Sequence, residues 1–272
     1  MLITNIRNID IERRTNMAEL HKYLTGFAKY NKELPLYVEN PFTESQIKLL
    51  RDTIEANRNR VADYQVVPGD QEMYHGGSRY DPKKIVHMSR QLVEFDCPKE
   101  IEEVMDSYAK EFYSEEIKLC HYNYIKYDLE YGDNNYAPAL PPHIDADENL
   151  VTFNFQIGAN IDDWQLVVSG KHFDLKTNDA IVFSAVNQVH WRPKRKWKPG
   201  EFLEIVSFDY CPPTNYRFTG EDNPIDQFLN TEKRKNYVDS LNNHPEFQSA
   251  WAQYHEEGLE IGIPENENGA IA

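Results

Sequence analysis

Residues 165–183 read QLVVSGKHFDLKTNDAIVF, and the way this stretch breaks decides the fold class. Gln165 to Val168 and His172 to Leu175 are short strand-like runs flanking Ser169-Gly170-Lys171, a hairpin turn signal. Lys176-Thr177-Asn178-Asp179 is a second turn, followed by the apolar strand Ala180-Ile181-Val182-Phe183. Working outward, Asn149 to Ile157 carries Val151, Phe153, Phe155 and Ile157 at period two. Leu119 to Tyr127 alternates and is rich in tyrosine, and Gln188 to Arg192 and Glu201 to Phe208 complete the set. Seven or eight short strands with turns between them predict a sandwich or jelly roll.

The flanks read differently. Residues 1–115 are expected to be mainly helical. Thr43-x-x-Gln46 is a capping box before Ile47, Leu50 and Ile54, which share one helical face. A second helix starts near Pro98, with Ile101, Val104, Met105, Tyr108 and Phe112 as its buried stripe. Residues 61–96 look irregular and polar, with a loop over Met73 to Tyr80 around Gly76-Gly77. After Pro212-Pro213 the pattern is helical again, with Phe228, Leu229, Tyr237, Leu241, Phe247, Trp251 and Tyr254 available to pack on the β core. This divides the chain into a helical support region over 1–115, a β core over 116–212 and a helical extension over 213–272, within one compact domain.

The chain has 272 residues, of which 40% are hydrophobic and 12% aromatic, enough for a sizeable core. A net charge of −16 argues against a nucleic-acid backbone as partner, because phosphates would be repelled. The local exception is Arg192, Lys194, Arg195, Lys196 and Lys198, interleaved with Trp191 and Trp197, which offers a grip for an acidic or extended partner or a solvated loop. No apolar run approaches the roughly 18 residues of a membrane helix, and Met1 to Arg7 lacks a secretory pattern. Cys97, Cys120 and Cys211 are odd in number and without metal-like spacing, so they read as free thiols in a reducing, cytoplasmic compartment. The sequence is silent on oligomeric state.

The chemistry rests on His143-Ile144-Asp145 and on His190, with 44 residues between Asp145 and His190. Two histidines and a carboxylate can hold one face of an Fe(II) ion and leave the other open. Four His-x-acid pairs occur in the chain: His143-x-Asp145, His172-x-Asp174, His244-x-Glu246 and His255-x-Glu257. Context separates them. Residues i and i+2 of a strand point the same way, and Pro141-Pro142 holds the chain extended before His143. His172 lies on a hairpin arm close to His190, while His244 and His255 lie in a helical region, where i and i+2 diverge.

On these residues the chain resembles the 2-oxoglutarate- and Fe(II)-dependent dioxygenases, in particular the prolyl-4-hydroxylase-like branch. Tyr124-Ile125-Lys126-Tyr127, Gly132 and Pro142-His143-Ile144-Asp145-Ala146-Asp147 resemble the first core strand and metal motif of that family. Val151 to Phe155 resembles its next strand, Thr177 to Phe183 the strand before its distal histidine, Val189-His190 that histidine, and Gly200 the glycine before its last strand. Residues 35–115 resemble its helical layer, so the likeness spans roughly 35–210.

The resemblance implies an α+β protein: a double-stranded β-helix, or jelly roll, with an N-terminal helical layer and C-terminal helices. It implies that His143, Asp145 and His190 bind Fe(II), and that 2-oxoglutarate and dioxygen are co-substrates. The reaction would be oxidative decarboxylation to succinate coupled to hydroxylation of an amino-acid or peptidyl, prolyl-like side chain in a small-molecule or peptide substrate. Tyr124, Tyr127, Thr152 and Asn154 are candidates for hydrogen bonds to 2-oxoglutarate. One departure stands out. The family places Arg or Lys just past the glycine, whereas Gly200 here precedes Glu201-Phe202-Leu203-Glu204. Arg192 is the first alternative cation, sharing the His190 face, followed by Arg195 and Lys126. The competing readings are a non-catalytic jelly-roll module and an iron enzyme with another co-substrate.

Overall fold

The computed structural model describes residues 30–32, 34–64, 90–129, 138, 140–143, 145, 149–185, 187–219 and 245–256. Among them, eleven strands form two antiparallel sheets. They are β1 (Leu36–Glu39), β2 (Val61–Tyr64), β3 (Arg90–Val93), β4 (Lys118–Asp128), β5 (Leu140–His143), β6 (Val151–Ala159), β7 (Leu166–Val168), β8 (Lys171–Phe173), β9 (Asp179–Phe183), β10 (His190–Arg192) and β11 (Phe202–Cys211). The helices are α1 (Glu44–Ala56), α2 (Lys99–Phe112), α3 (Tyr216–Thr219) and α4 (Pro245–Glu256). The large sheet runs β1-β9-β6-β11-β4-β3-β2 and the small one β5-β10-β7-β8. Two facing sheets joined by alternating crossovers make a jelly-roll core.

The hairpin at 169–170 forms as its residues dictate. Ser169 and Gly170 both take positive φ, 48° and 73°, the pair of angles a tight two-residue turn requires. Helix α1 starts at the Thr43 capping box, with the Thr43 side chain accepting from Gln46 N. Leu50, Ile54, Ile101, Met105, Ala109 and Phe112 share one buried cluster with Val151, Phe153, Phe155, Val206 and Phe208. The period-two apolar residues of β6 therefore face these helices. The opposite face of β6, with Thr152, Asn154 and Gln156, looks into the barrel and is also buried.

Residues 1–115 combine helices with strands where they are described. They hold two helices and three strands, β1 to β3. Strands β2 and β3 lie in the segment expected to be irregular, because a four-residue strand shows too few alternations to be read. Pairing with β4 recruits them to the sheet edge. Residues 73–80, 228–241, His244 and Glu257 lie outside the described residues. No helix among the described residues is long and apolar enough to cross a membrane.

The free-thiol expectation fails for two cysteines: Cys120 and Cys211 form a disulfide, and Cys97 remains free. The two are 91 residues apart in sequence. They become neighbours because β4 and β11 pair, with a bulge at Asp209/Tyr210. The bond removes the cysteine argument for a reducing compartment. Reduction is expected to lower stability by about 2–4 kcal/mol, the usual effect of closing a long loop. Thermal melts with and without dithiothreitol test this, and denatured but unreduced protein should alkylate at Cys97 alone.

Candidate metal centre

His143 ends β5 and His190 begins β10, and the two are directly opposite in the antiparallel ladder. Backbone pairing thus sets both imidazoles side by side, with ring centroids 4.1 Å apart. Asp145 leaves β5 and its N–H donates to Ala185 O, which turns its carboxylate back toward the histidines. Asp145 Oδ1 lies 3.7 Å from His143 Nε2 and 3.7 Å from His190 Nε2. One ligand atom from each residue falls within 4.8 Å of the others. Atoms 3.7 Å apart can both lie about 2.1 Å from one ion, since that separation is less than twice the bond length.

The proton positions fit a cation. The 184–190 loop is tied by Asn187 and Gln188 N–H groups donating to Ser184 O, and by Gln188 Oε1 accepting from Ser184 N. This aims Gln188 O at His190 Nδ1, 3.0 Å away. A carbonyl only accepts, so Nδ1 carries the proton and Nε2 presents its lone pair toward Asp145. Lone-pair atoms converging with a carboxylate suit a divalent metal, and two His and one carboxylate on one side suit non-heme Fe(II).

Asn149 has no counterpart in the sequence reading. It is buried, its Nδ2 donates to Asp145 Oδ2 at 3.2 Å, and its Oδ1 lies 3.9 Å from Cys211 Sγ. Asn149→Ala is expected to weaken metal affinity roughly 10–100-fold, the range for partners that orient a ligand. A Co(II) titration against a competing chelator reads this out; unchanged affinity would remove the role.

Of the other sequence candidates, Arg192 and Tyr127 turn inward and meet. Arg192 is 1% exposed, stacks over Trp164 at 5.1 Å and donates from Nη1 to Trp164 O. The Tyr127 ring packs edge-on to Trp164 at 4.9 Å. Arg192 Nε and Nη2 are buried with no hydrogen-bond partner among the described residues. Burial pulls the guanidinium down to about 10, only partly opposed by Tyr127. An arginine in this state is prepared for an anion.

Tyr124 is corrected. It faces the helices, donating to Glu204 Oε1 at 2.6 Å under the Arg58 guanidinium. Alternation along β4 puts Tyr124 and Tyr127 on opposite faces. Thr152 and Asn154 face inward. Thr152 donates to Asp209 Oδ1 at 2.9 Å, and Asn154 Oδ1 has no partner among the described residues. Arg195 is ion-paired with Asp163 at 2.9 Å and Glu201 at 3.1 Å, although its Nε has no hydrogen-bond partner among the described residues, and Lys126 pairs with Asp128 at 2.6 Å. Lys194 lies over Tyr254, so much of the basic segment is packed or paired rather than offered to a partner. His172 is exposed on β8, bonded to Gln165 Oε1, and takes no part in the site.

No protein-family model and no curated protein sequence matches the chain. Solved structures do. The epimerase SnoN, in complex with Fe3+, alpha ketoglutarate and nogalamycin RO, aligns at TM-score 0.51 and 10% identity, over 79% of this chain and 90% of that one. A Trichoplax adhaerens prolyl hydroxylase, bound to a hypoxia inducible factor peptide fragment, aligns at TM-score 0.46 and 12% identity, over 79% and 96%. A Pseudomonas putida prolyl-4-hydroxylase aligns at TM-score 0.43 and 11% identity, over 70% and 98%. The SnoN superposition establishes a shared fold, and the chain has the architecture of that non-heme, alpha-ketoglutarate-dependent epimerase.

Proposed function

We propose that this protein is an Fe(II)- and 2-oxoglutarate-dependent oxygenase that oxidises a C–H bond of an amino-acid or peptidyl side chain. The observation that carries this reading is the convergence of His143, Asp145 and His190, with the His190 tautomer held by Gln188 O. Iron with 2-oxoglutarate and dioxygen would supply the oxidising chemistry. The chain's own residues bind and orient. His143, Asp145 and His190 hold the metal, and Asn149 steadies the carboxylate.

Arg192 replaces the missing cation after Gly200. It lies two residues beyond His190 on β10, across a register shift of the ladder with β5, and its guanidinium is over Trp164, against which the Tyr127 ring also packs. A dicarboxylate chelating the metal at one end would put its far carboxylate in the pocket of Arg192, Tyr127 and Trp164. Leu203, Ile205, Trp164 and Trp197 form the apolar wall there and exclude water from that contact.

The test is anaerobic. Fe(II) and then 2-oxoglutarate are added, and the weak visible charge-transfer band of the chelate is expected. Absence of the band at saturating ligand would sink the 2-oxoglutarate reading. Iron binding without the band would leave an iron protein with another co-substrate.

A further inference from the structure

The inner face of the large sheet is apolar at one end and polar at the other. Ile125, Leu203 and Ile205 belong to the apolar wall beside Arg192. Farther along the same strands come Ser207 and Asp209 of β11. Ser207 is opposite Asn123 and Asn154, and Asp209 is opposite His121 and Thr152. Directly opposed residues share a face, so these six polar side chains form one block, three strands wide and two rows deep. The rows continue onto β9, where Phe183 is opposite Thr152. The Phe183 ring lies 4.9 Å from the His190 ring, so the block looks across the barrel toward the metal ligands.

Thr152, Asn154 and Asp209 are buried while His121, Asn123 and Ser207 are half-buried, and polar groups buried on a sheet face need partners. The centre of the block is Asp209, 4% exposed. Asp209 accepts from Thr152 Oγ1 at 2.9 Å and Ser207 Oγ at 3.1 Å, and lies 3.1 Å from His121 Nδ1. Among the described residues no lysine or arginine reaches it. Asn123 Oδ1 and Asn154 Oδ1 are buried without a partner among the described residues. The block therefore offers a carboxylate and two amide oxygens without partners among the described residues, while its two hydroxyls already donate to that carboxylate.

We propose that this block is the primary-substrate site and that it receives a substrate bearing a protonated nitrogen, an alkylammonium or guanidinium group. The assignment rests on the oxygenase reading for the metal opposite. An anionic group would meet the Asp209 carboxylate. An apolar ring would seal the amide oxygens away unpaired, at about 1–3 kcal/mol each. A cationic nitrogen supplies several donors together with a charge opposite to that of Asp209, which among the described residues has only the His121 imidazole beside it as a basic group.

The test uses three fragments of equal length, n-butylammonium, n-butyramide and butyrate, titrated by ligand-observed NMR into anaerobic protein loaded with Fe(II) and 2-oxoglutarate. Butylammonium should bind saturably and at least roughly tenfold tighter than butyrate, the scale of one charge-assisted hydrogen bond. Asp209→Asn should erase that preference, and Asn154→Leu should weaken butylammonium. Should Asp209→Asn not fold, Asn154→Leu decides. No saturable butylammonium binding, a preference for butyrate, or full selectivity retained in a folded variant overturns the proposal. If the charge-transfer band does not develop, the oxygenase reading fails instead, and the same titration on metal-free protein still judges the block.

Discussion

His143→Ala is expected to lose Fe(II) and Co(II) affinity by more than about 100-fold, beyond the roughly 10–100-fold range for residues that merely orient a ligand. The site has three ligand residues on neighbouring segments, and their ligand atoms fall within 4.8 Å of one another. Removing one leaves a histidine and a carboxylate, too few to hold a labile divalent ion against water. The fold should survive, because His143 pairs with His190 through backbone groups that alanine keeps. His172→Ala is the matched control: it breaks another His-x-Asp pair, on the exposed strand β8, and should bind metal as the parent does. Titration against a chelator, with a melt to confirm folding, reads both variants. Parent-like affinity in folded His143→Ala would remove the metal centre.

Arg192→Met is expected to move stability and ligand binding in opposite directions. The guanidinium is buried, and Nε and Nη2 have no partner among the described residues. Its largest perturbation is burial, which disfavours the charged form and brings it down to about 10. A base that gives up its proton more readily when folded subtracts from stability wherever it stays charged, here at all pH below about 10. That deficit shrinks as pH rises from there toward the ordinary arginine range. An apolar side chain of similar length removes it. Ligand-free protein should gain on the order of 1–3 kcal/mol, the scale seen when buried ionic groups are replaced by packed apolar ones. In a chain of this size that is about 2–4 °C of melting temperature per kcal/mol.

The same change should raise the half-saturating 2-oxoglutarate concentration roughly 30- to 4,000-fold, since truncating one partner of a buried charge pair costs about 2–5 kcal/mol. Iron affinity without 2-oxoglutarate should stay as it was. A stabilised variant with an unchanged 2-oxoglutarate requirement would mean that Arg192 is not the carboxylate partner. A destabilised one would mean that the bond to Trp164 O and the stacking on its ring outweigh the desolvation.

Local signals carried much of this architecture. The Thr43-x-x-Gln46 pattern formed its capping box. The stripe Ile101, Met105, Phe112 became the buried face of α2, because helical periodicity is a property of the segment alone. The alternation in 149–157 produced β6. Its apolar set faces the helices, however, and its polar set faces the lumen. Period two divides a strand into faces but does not say which one looks into the barrel. The same ambiguity placed Tyr124 among the co-substrate candidates. The polar positions Thr152 and Asn154 between Val151, Phe153 and Phe155 were the available sign of the inner block, whereas Asp209 becomes notable only once its neighbours are known.

By itself the sequence determined the elements whose causes are local: turns, caps and apolar stripes. It singled out His143 and Asp145 as a pair, but Asp145 lies beyond the end of β5 and is turned toward the histidines by its bond to Ala185 O. The sequence also named His190 as their partner through the order of its motifs. Tertiary structure alone decided what depends on distant segments meeting. The β4–β11 ladder joins Cys120 to Cys211 across 91 residues and sets His121 against Asp209, and the β6–β11 ladder adds Thr152. Packing against Trp164 turns Arg192 from one member of a basic run into a buried cation with no carboxylate partner among the described residues. Burial and partnership are properties of a neighbourhood, and a neighbourhood built from segments far apart in the chain leaves no local mark in the sequence.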